Sequence, residues 1–326
     1  MDFNLSLGSL ASENKAIPLD HRRLYDVLIL GGGPAALTAA VYCMRKGVVT
    51  ALVTMDFGGQ VAETSAVENY MGYKYIEGIQ LAERFREQVN QFEISIAPGR
   101  RVSGIAPGNN WMVTLDDGST CSGRSIIITT GKSWRKLNVP GEKELTGRGV
   151  AYCATCDAPL FAGRRVAVVG GGNSGVESAI DLAKIAESVT LVQVLPALTA
   201  DRVLVDALAA YKNVTTLLEH EVAEIRGTAS VSSVMVRART GGAARELDVQ
   251  GIFIEIGLVP NTDFVRGLLD LNEAGEIVVD SSCRTSAKGI FAAGDVTSVP
   301  FKQIIIAAGE GAKAALAACE YLMKNE

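Results

Sequence analysis

The chain has 326 residues, 48% of them hydrophobic and 21% charged, with 34 glycines, which is enough apolar chain for two buried cores and excludes a disordered or fibrous protein. A formal net charge of -5 at pH 7 lacks the cationic excess that nucleic acid or an anionic membrane surface demands. Six scattered cysteines and two histidines form neither a disulfide framework nor a zinc site, so no metal is expected.

Residues 1–21 read as an N-terminal extension, without the basic start and apolar core of a secretory signal. The first strong element is the apolar run 25–30, a predicted buried parallel strand that runs directly into Gly31-Gly32-Gly33-Pro34-Ala35-Ala36 and an alanine-rich helix ending near Gly47. Strand, glycine turn and helix together make a dinucleotide-binding fold. Gly31 permits the tight turn, Gly33 lets the backbone approach a pyrophosphate, and Ala36 keeps helix and strand close.

Further along, the only C-x-x-C pair is Cys153 and Cys156, followed directly by Asp157. A second strand is predicted over 166–169, then the turn Gly170-Gly171-Gly172-Asn173-Ser174-Gly175, a helix over 176–186 and a strand over 189–194. One such turn is weak support for nucleotide binding; two copies in the required strand and helix context are strong. Later, 275–280 reads as a strand, and 289–295 as an apolar strand ending on Asp295, a carboxylate able to accept a hydrogen bond from a ribitol hydroxyl. A last helix is expected over 304–323, its N-terminus toward a flavin. Cys43, Cys121, Cys283 and Cys319 are expected to serve packing only. No apolar run is long enough for a bilayer span, so a cytoplasmic protein with no membrane and no nucleic-acid partner is expected.

Gly58-Gly59-Gln60, Val67-Glu68-Asn69, Thr129-Thr130-Gly131, Cys153-Ala154-Thr155-Cys156-Asp157, Gly170 to Gly175 and Gly294-Asp295-Val296 stand in the order found in low-molecular-weight thioredoxin reductases, and the chain resembles them over nearly everything after Leu24. The part after Gly163 is still more similar to the reductase portion of the alkyl hydroperoxide reductase flavoprotein subunit, notably in Lys302-Gln303-Ile304. The resemblance implies an α/β fold of two Rossmann-like three-layer domains, the second inserted into the first. Residues 22–133 and 258–326 would form a split FAD domain, and 134–257 a nicotinamide nucleotide domain that carries the C-x-x-C.

Motif by motif, the resemblance implies FAD contacts from Gly31, Gly33, Pro34 and Ala35, from Asp56, Gly59, Gln60 and Asn69, and from Thr130 and Gly131. Gly294, Asp295, Lys302, Gln303 and Ile304 complete that set. Gly170, Gly172, Asn173, Ser174 and Gly175 would hold NADH or NADPH, with Gln193 toward the ribose. Cys153 is implied as the exposed attacking thiolate and Cys156 as the thiol nearer the flavin; with only two histidines in the chain, Asp157, directly after Cys156, is the expected local proton donor, its pKa raised by partial burial. A homodimer and a rotating inserted domain are also implied. The expected acceptor is a separate thioredoxin or thioredoxin-like protein, because about two dozen residues precede the first strand where the hydroperoxide-reductase relative carries fused carrier domains.

NADPH-using members carry an arginine clamp after the second strand of the inserted domain, whereas residues 192–199 here read VQVLPALT, with no cation. NADH is therefore the expected donor, with Arg202 the one nearby cation that a folded-back loop would bring to a 2′-phosphate. Other readings stay open: a diaphorase with vestigial cysteines, a reductase serving a peroxiredoxin system, a ferredoxin-dependent variant, and a redox-binding module without turnover.

Overall fold

The computed structural model describes residues 16–64 and 67–325; the side chains of Glu63, Thr155 and Cys156 lie outside that description, as does most of the expected N-terminal extension. Following the chain, β1 (Ile17–Pro18) and β2 (Leu24–Leu30) lead into α1 (Pro34–Arg45) and β3 (Thr50–Thr54), then α2 (Gly78–Val89) and β4 (Ser95–Pro98). A meander of β5 (Val102–Ala106), β6 (Trp111–Leu115) and β7 (Thr120–Ile128) follows. The chain continues through β8 (Lys132–Trp134), β9 (Val150–Ala151), α3 (Ala154–Asp157), β10 (Arg165–Val169), α4 (Asn173–Ala183), β11 (Ser188–Val192) and α5 (Arg202–Leu208). Next come β12 (Val214–Leu217), β13 (His220–Gly227), β14 (Val231–Ala238), β15 (Arg245–Asp248), β16 (Gly251–Ile254) and β17 (Leu258–Pro260), and the path ends with β18 (Ile290–Ala292) and α6 (Ile304–Lys324).

The chain divides into two compact units. The first holds the segment ending at Val61, Gln80–Gly131 and the segment from Pro260 onward; the second holds Ala62–Ile79 and Lys132–Val259. Residues 62–79, which the sequence reading assigns to the first domain, thus group with the second unit. Ile17 and Pro18, expected to lie in an extension, instead add a parallel strand beside β4.

In the first unit the sheet order is β1-β4-β3-β2-β7-β6-β5, with β18 also paired to β7. β7 is shared along its length: residues 120–123 pair antiparallel with β6, while Ile126, Ile127 and Ile128 pair parallel with β18. The inner strand β2 is buried from Val27 to Leu30, as a parallel strand covered on both faces must be. One face packs on α1 and α6 through Val27, Ile29, Ala36, Ala40 and Ala318. Their contact is lined by small residues because a Cβ on Gly311 would stand 2.1 Å from the Ala35 carbonyl oxygen.

The second unit is built on an all-parallel sheet, β12-β11-β10-β16-β9, with the antiparallel β13-β14-β15 beside it in sequence. α4 packs on that sheet through Val176, Ala179 and Leu182. Both units are therefore Rossmann-like α/β folds. Among the described residues no helix is long and apolar enough to cross a membrane.

Three elements differ from expectation. The strand predicted over 275–280 is reduced to isolated bridges at Ile277, because Asn272 turns the chain: its side chain bonds Glu276 at both the carboxylate (2.6 Å) and the backbone N–H (2.9 Å). α4 begins at Asn173, three residues before the predicted start, since Gly172 already has the extended conformation of an N-cap. β11 ends at Val192 because the next residue turns out of the sheet, with Val194 N–H donating to the Gln193 side-chain oxygen (3.0 Å).

Gly311→Val should separate α1 from α6 and cost about 1–3 kcal/mol by overpacking, read as a lower urea midpoint; an unchanged midpoint would refute this account of the contact.

Candidate functional site: two glycine turns and a C-x-x-C helix

The first glycine turn lies at the C-terminal ends of parallel strands, the usual ligand edge of such sheets. Gly31 has φ +134°, and a Cβ on it would stand 2.3 Å from the Thr129 carbonyl oxygen, so only glycine lets β2 turn so close to β7. Gly33 is the opposite case. Among the described residues no atom beyond its chain neighbours lies within 4 Å of where its Cβ would be, and Gly33 is the N-cap of α1, with Pro34 at the first helical position.

Four further segments close on this turn. Gly58 N–H donates to the Gly32 carbonyl (2.8 Å), and Asp56 accepts from Gly59 N–H (3.1 Å), which brings Asp56, Gly59 and Gln60 to its rim. Thr129 N–H donates to the Leu30 carbonyl (2.8 Å), so Thr130 and Gly131 follow beside it. Ala293 N–H donates to Ile128 (2.9 Å), and a Cβ on Gly294 would lie 3.1 Å from the Ala35 Cβ, placing Gly294 and the half-buried Asp295 against the start of α1. Ala307, in the first turn of α6, lies beside Gly294, so Gln303 at the N-cap and Ile304 belong to the same assembly. The open Gly33 cradle, a helix N-terminus and a carboxylate fit the pyrophosphate and ribitol of FAD.

Asn69 and Lys302 complete the predicted FAD set. Asn69 lies in the segment that groups with the second unit. The Lys302 ammonium donates to the carbonyls of Thr297 (2.6 Å) and Val299 (2.5 Å) and pairs with Glu276 (3.3 Å), so it staples the loop before α6. Thr130 and Asn261 clasp each other, hydroxyl to carbonyl and amide to carbonyl, each at 2.8 Å, where the chain leaves and re-enters the first unit.

The second turn repeats the plan. Cβ atoms on Gly170 and Gly175 would stand 2.2 Å from the Glu255 carbonyl oxygen and 1.9 Å from the Gly170 carbonyl oxygen, whereas Gly172 has only Thr199 Oγ1 at 3.8 Å. Asn173 is engaged with Asp201 through both its oxygen (2.8 Å) and its nitrogen (2.9 Å), fastening the loop after β11 to the start of α4, and Ser174 is exposed. Gln193 is 5% exposed, its oxygen accepting from Val194 and its nitrogen 3.4 Å from the Ala197 carbonyl. Arg202 pairs with Asp206 (2.8 Å) on the exposed face of α5.

The C-x-x-C occupies the same unit. Half-buried Cys153 caps α3, and Asp157 N–H donates to its carbonyl (3.0 Å). The segment is anchored on each side. Tyr152 stacks on Trp134 and donates to the buried Glu142 carboxylate (2.8 Å), and Phe161 packs edge-on against Phe253 of β16. The Asp157 carboxylate is 7% exposed and its Oδ1 has no hydrogen-bond partner among the described residues; burial raises its pKa from 3.8 to about 6.

Sequence reasoning missed Glu255. Its Oε1 accepts from Ala154 N–H (3.3 Å) and Ser178 Oγ (2.9 Å), and burial, its largest influence, raises its pKa to about 7. The available signal was an ionisable residue interrupting the apolar run 252–256.

Two dinucleotide-type turns, one per unit, with a C-x-x-C helix in the unit of the second, define a two-nucleotide redox fold. The chain belongs to the pyridine nucleotide-disulphide oxidoreductase family, which it matches over residues 25–311. It is 45% identical over 321 residues to an alkyl hydroperoxide reductase subunit, that of Escherichia coli (strain K12), covering 97% of this chain and 62% of that one. Its likeness to an NADH dehydrogenase of Ferdinandcohnia aciditolerans is 43% over 319 residues, covering 98% and 62%. The chain thus spans about three fifths of the length of these relatives. Thioredoxin reductase from Streptococcus pyogenes superposes with a TM-score of 0.87 at 37% identity, covering 92% of this chain and 99% of that one. Family membership implies FAD and a nicotinamide nucleotide.

Gly33→Ala should fold normally, its φ of -78° and open surroundings suiting alanine, yet lower FAD affinity by about tenfold or more through loss of the close backbone approach. Flavin titration of the apoprotein checks this, and full flavin affinity would remove Gly33 from the site. For Asp157 the folded pKa lies above the unfolded one, so the native state binds the extra proton between about pH 4 and 6 and stability falls as pH rises through that window. Asp157→Asn should therefore stabilise the protein at pH 7 by up to about 3 kcal/mol, with the gain vanishing below about pH 4. Urea midpoints at the two pH values measure it.

Proposed function

We propose that this chain is an FAD-dependent disulfide reductase that takes electrons from NADH and delivers them through Cys153 and Cys156 to thioredoxin or a thioredoxin-like protein. The observation that carries the reading is a C-x-x-C helix, with a buried carboxyl oxygen at its end that has no partner among the described residues, in the same unit as a second glycine turn that opens at Gly172. The full-length match to a thioredoxin reductase supports the choice of acceptor.

Gly33, Pro34 and Ala35 would hold the FAD pyrophosphate, Asp295 the ribitol, and Gln303 and Ile304 the end near α6; Asn69 remains a proposed contact from its own segment. Gly172 and Ser174 would receive the nicotinamide nucleotide at the start of α4. Bound FAD supplies a two-electron relay from nicotinamide to disulfide. NADH and one proton then convert the Cys153–Cys156 disulfide into two thiols, with NAD+ leaving. The Cys153 thiolate attacks the acceptor disulfide, forming a mixed disulfide and expelling one acceptor sulfur as thiolate. Asp157, its pKa raised by burial to about 6, gives that sulfur a proton. The Cys156 thiol gives its proton back to Asp157 and attacks Cys153 Sγ, restoring the internal disulfide and releasing the second acceptor sulfur, which takes up from solvent the equivalent of the proton that Cys153 lost on ionising.

The donor preference rests on the loop after β11. No cation stands between Val192 and Asp201, and Arg202 pairs with Asp206 on the exposed face of α5, so this loop offers a 2′-phosphate no arginine clamp. With the Gln193 amide bonded within its own loop, selectivity for NADH comes from the missing cations rather than from an added ribose ligand. Two absent charge-assisted bonds, at about 1.5–3 kcal/mol each, weaken NADPH binding by about two to four powers of ten. The names of the curated relatives favour a second reading, in which the same thiols serve an alkyl hydroperoxide reductase system. The domains 22–133 with 258–326 and 134–257, a homodimer and a cytoplasmic location are part of the proposal.

Stopped-flow flavin reduction should half-saturate at lower NADH than NADPH, and Cys153→Ser should keep this step while losing reduction of a thioredoxin-like disulfide. Wild-type disulfide reduction by the serine variant would refute the thiol route, and equal or better use of NADPH would refute the donor assignment. Carrier dependence separates the acceptors: turnover with a peroxiredoxin but not with thioredoxin selects the second reading.

A further inference from the structure

Glu255 follows β16 at the sheet edge where the second glycine turn begins. Its backbone N–H donates to the Val169 carbonyl (2.8 Å), and its carbonyl oxygen occupies the space a Gly170 side chain would need. Its side chain leaves this position to bridge two segments. One oxygen accepts from the N–H of Ala154, the residue after Cys153, and from the hydroxyl of Ser178 on α4. A single carboxyl therefore touches both the C-x-x-C segment and the helix that starts at the nucleotide turn.

This contact is specific in its chemistry. Ser178 is buried and points inward from α4, and the Ala154 N–H has been left open by the extended conformation of Cys153 at the head of α3. An alanine at 255 would leave both donors without this acceptor. A glutamine would keep an acceptor but remove the charge. Burial is the largest cause of its raised pKa, and the charge of Glu177 on α4 raises it further; Cys153 directly precedes Ala154 in the chain and Asp157 follows three residues on, and among the described residues no cation contributes to its ionisation.

We propose that Glu255 is a positioning residue for the thiol chemistry: its carboxyl ties the C-x-x-C segment to α4, and its negative charge controls how readily Cys153 becomes a thiolate. This rests on the disulfide-reductase reading and deepens it. An ionised Glu255 opposes a thiolate on the adjoining residue, and a protonated one releases that opposition. Because the two groups titrate against each other, Cys153 ionises in a profile that belongs to the pair. Protonation of Glu255 as the pH falls toward neutrality then keeps Cys153 reactive below the pH at which its ionisation would otherwise be lost.

The test uses the full-length flavoprotein carrying Cys156→Ser, reduced with dithiothreitol and freed of it, with Cys153 alkylated by iodoacetamide across pH 5–9. The other four cysteines are buried, so Cys153 dominates the reaction. The rate should rise in two stages in this parent. Adding Glu255→Gln should give a single-stage profile with its midpoint lower by about one pH unit. Glu255→Ala should in addition speed hydrogen–deuterium exchange of peptides spanning 153–157 at least tenfold, whereas the glutamine variant should not. A glutamine profile that superposes on the parent overturns control by charge, and unchanged exchange in the alanine variant overturns the tie. Neither measurement involves turnover, so failure of the reductase reading shows separately, as wild-type protein in which NADH generates no new thiols.

Discussion

The Thr129 carbonyl oxygen fills the space in which a side chain on Gly31 would have to stand, and this contact sets the geometry of the first unit. Because β2 and β7 are neighbours to their last residues, the chain can leave β2 only through a left-handed glycine and must start α1 at once. The same tightness recurs across the helix pair, where the Ala35 carbonyl oxygen excludes any side chain at Gly311. Crowding on one side of the turn leaves Gly33 facing open space on the other. The cradle is thus a consequence of packing, and α6, β18 and the loop at Gly58 are drawn to its rim by the small residues that permit close approach.

The second unit uses the same solution with a different neighbour. There the oxygen that excludes a side chain at the turn belongs to Glu255, and the residue that supplies it also sends a carboxyl toward the C-x-x-C segment. Two acids with raised pKa values, Asp157 and Glu255, consequently lie on or against one short helix. Burial is the leading cause for both, and each costs stability at neutral pH. Such a cost is intelligible where protons must be moved, since a carboxyl that titrates near neutrality can hold or release one under working conditions.

Much of this was legible in the chain itself. Residues 25–36 and 166–175 carry strand, turn and helix in patterns so local that their elements could be read directly, and the C-x-x-C pair is a matter of spacing. The failures were also local in appearance but tertiary in cause. The run 275–280 carries the consecutive apolar residues Ile277, Val278 and Val279 of a buried strand, yet after the turn at Asn272 its pairing among the described residues is limited to isolated bridges at Ile277.

Sequence alone determined the two glycine turns, the thiol pair and the missing cations after Val192, because each depends on residue type at short spacing. Tertiary structure decided that residues 62–79 group with the second unit, that the Asp157 carboxyl is buried with an oxygen that has no partner among the described residues, and that Glu255, about one hundred residues from Cys153 in the chain, bonds the amide that follows it. The physical reason is that burial, pKa and long-range hydrogen bonds depend on which surfaces the folded strands bring together, and an ionisable residue inside an apolar run announces only that some partner must exist.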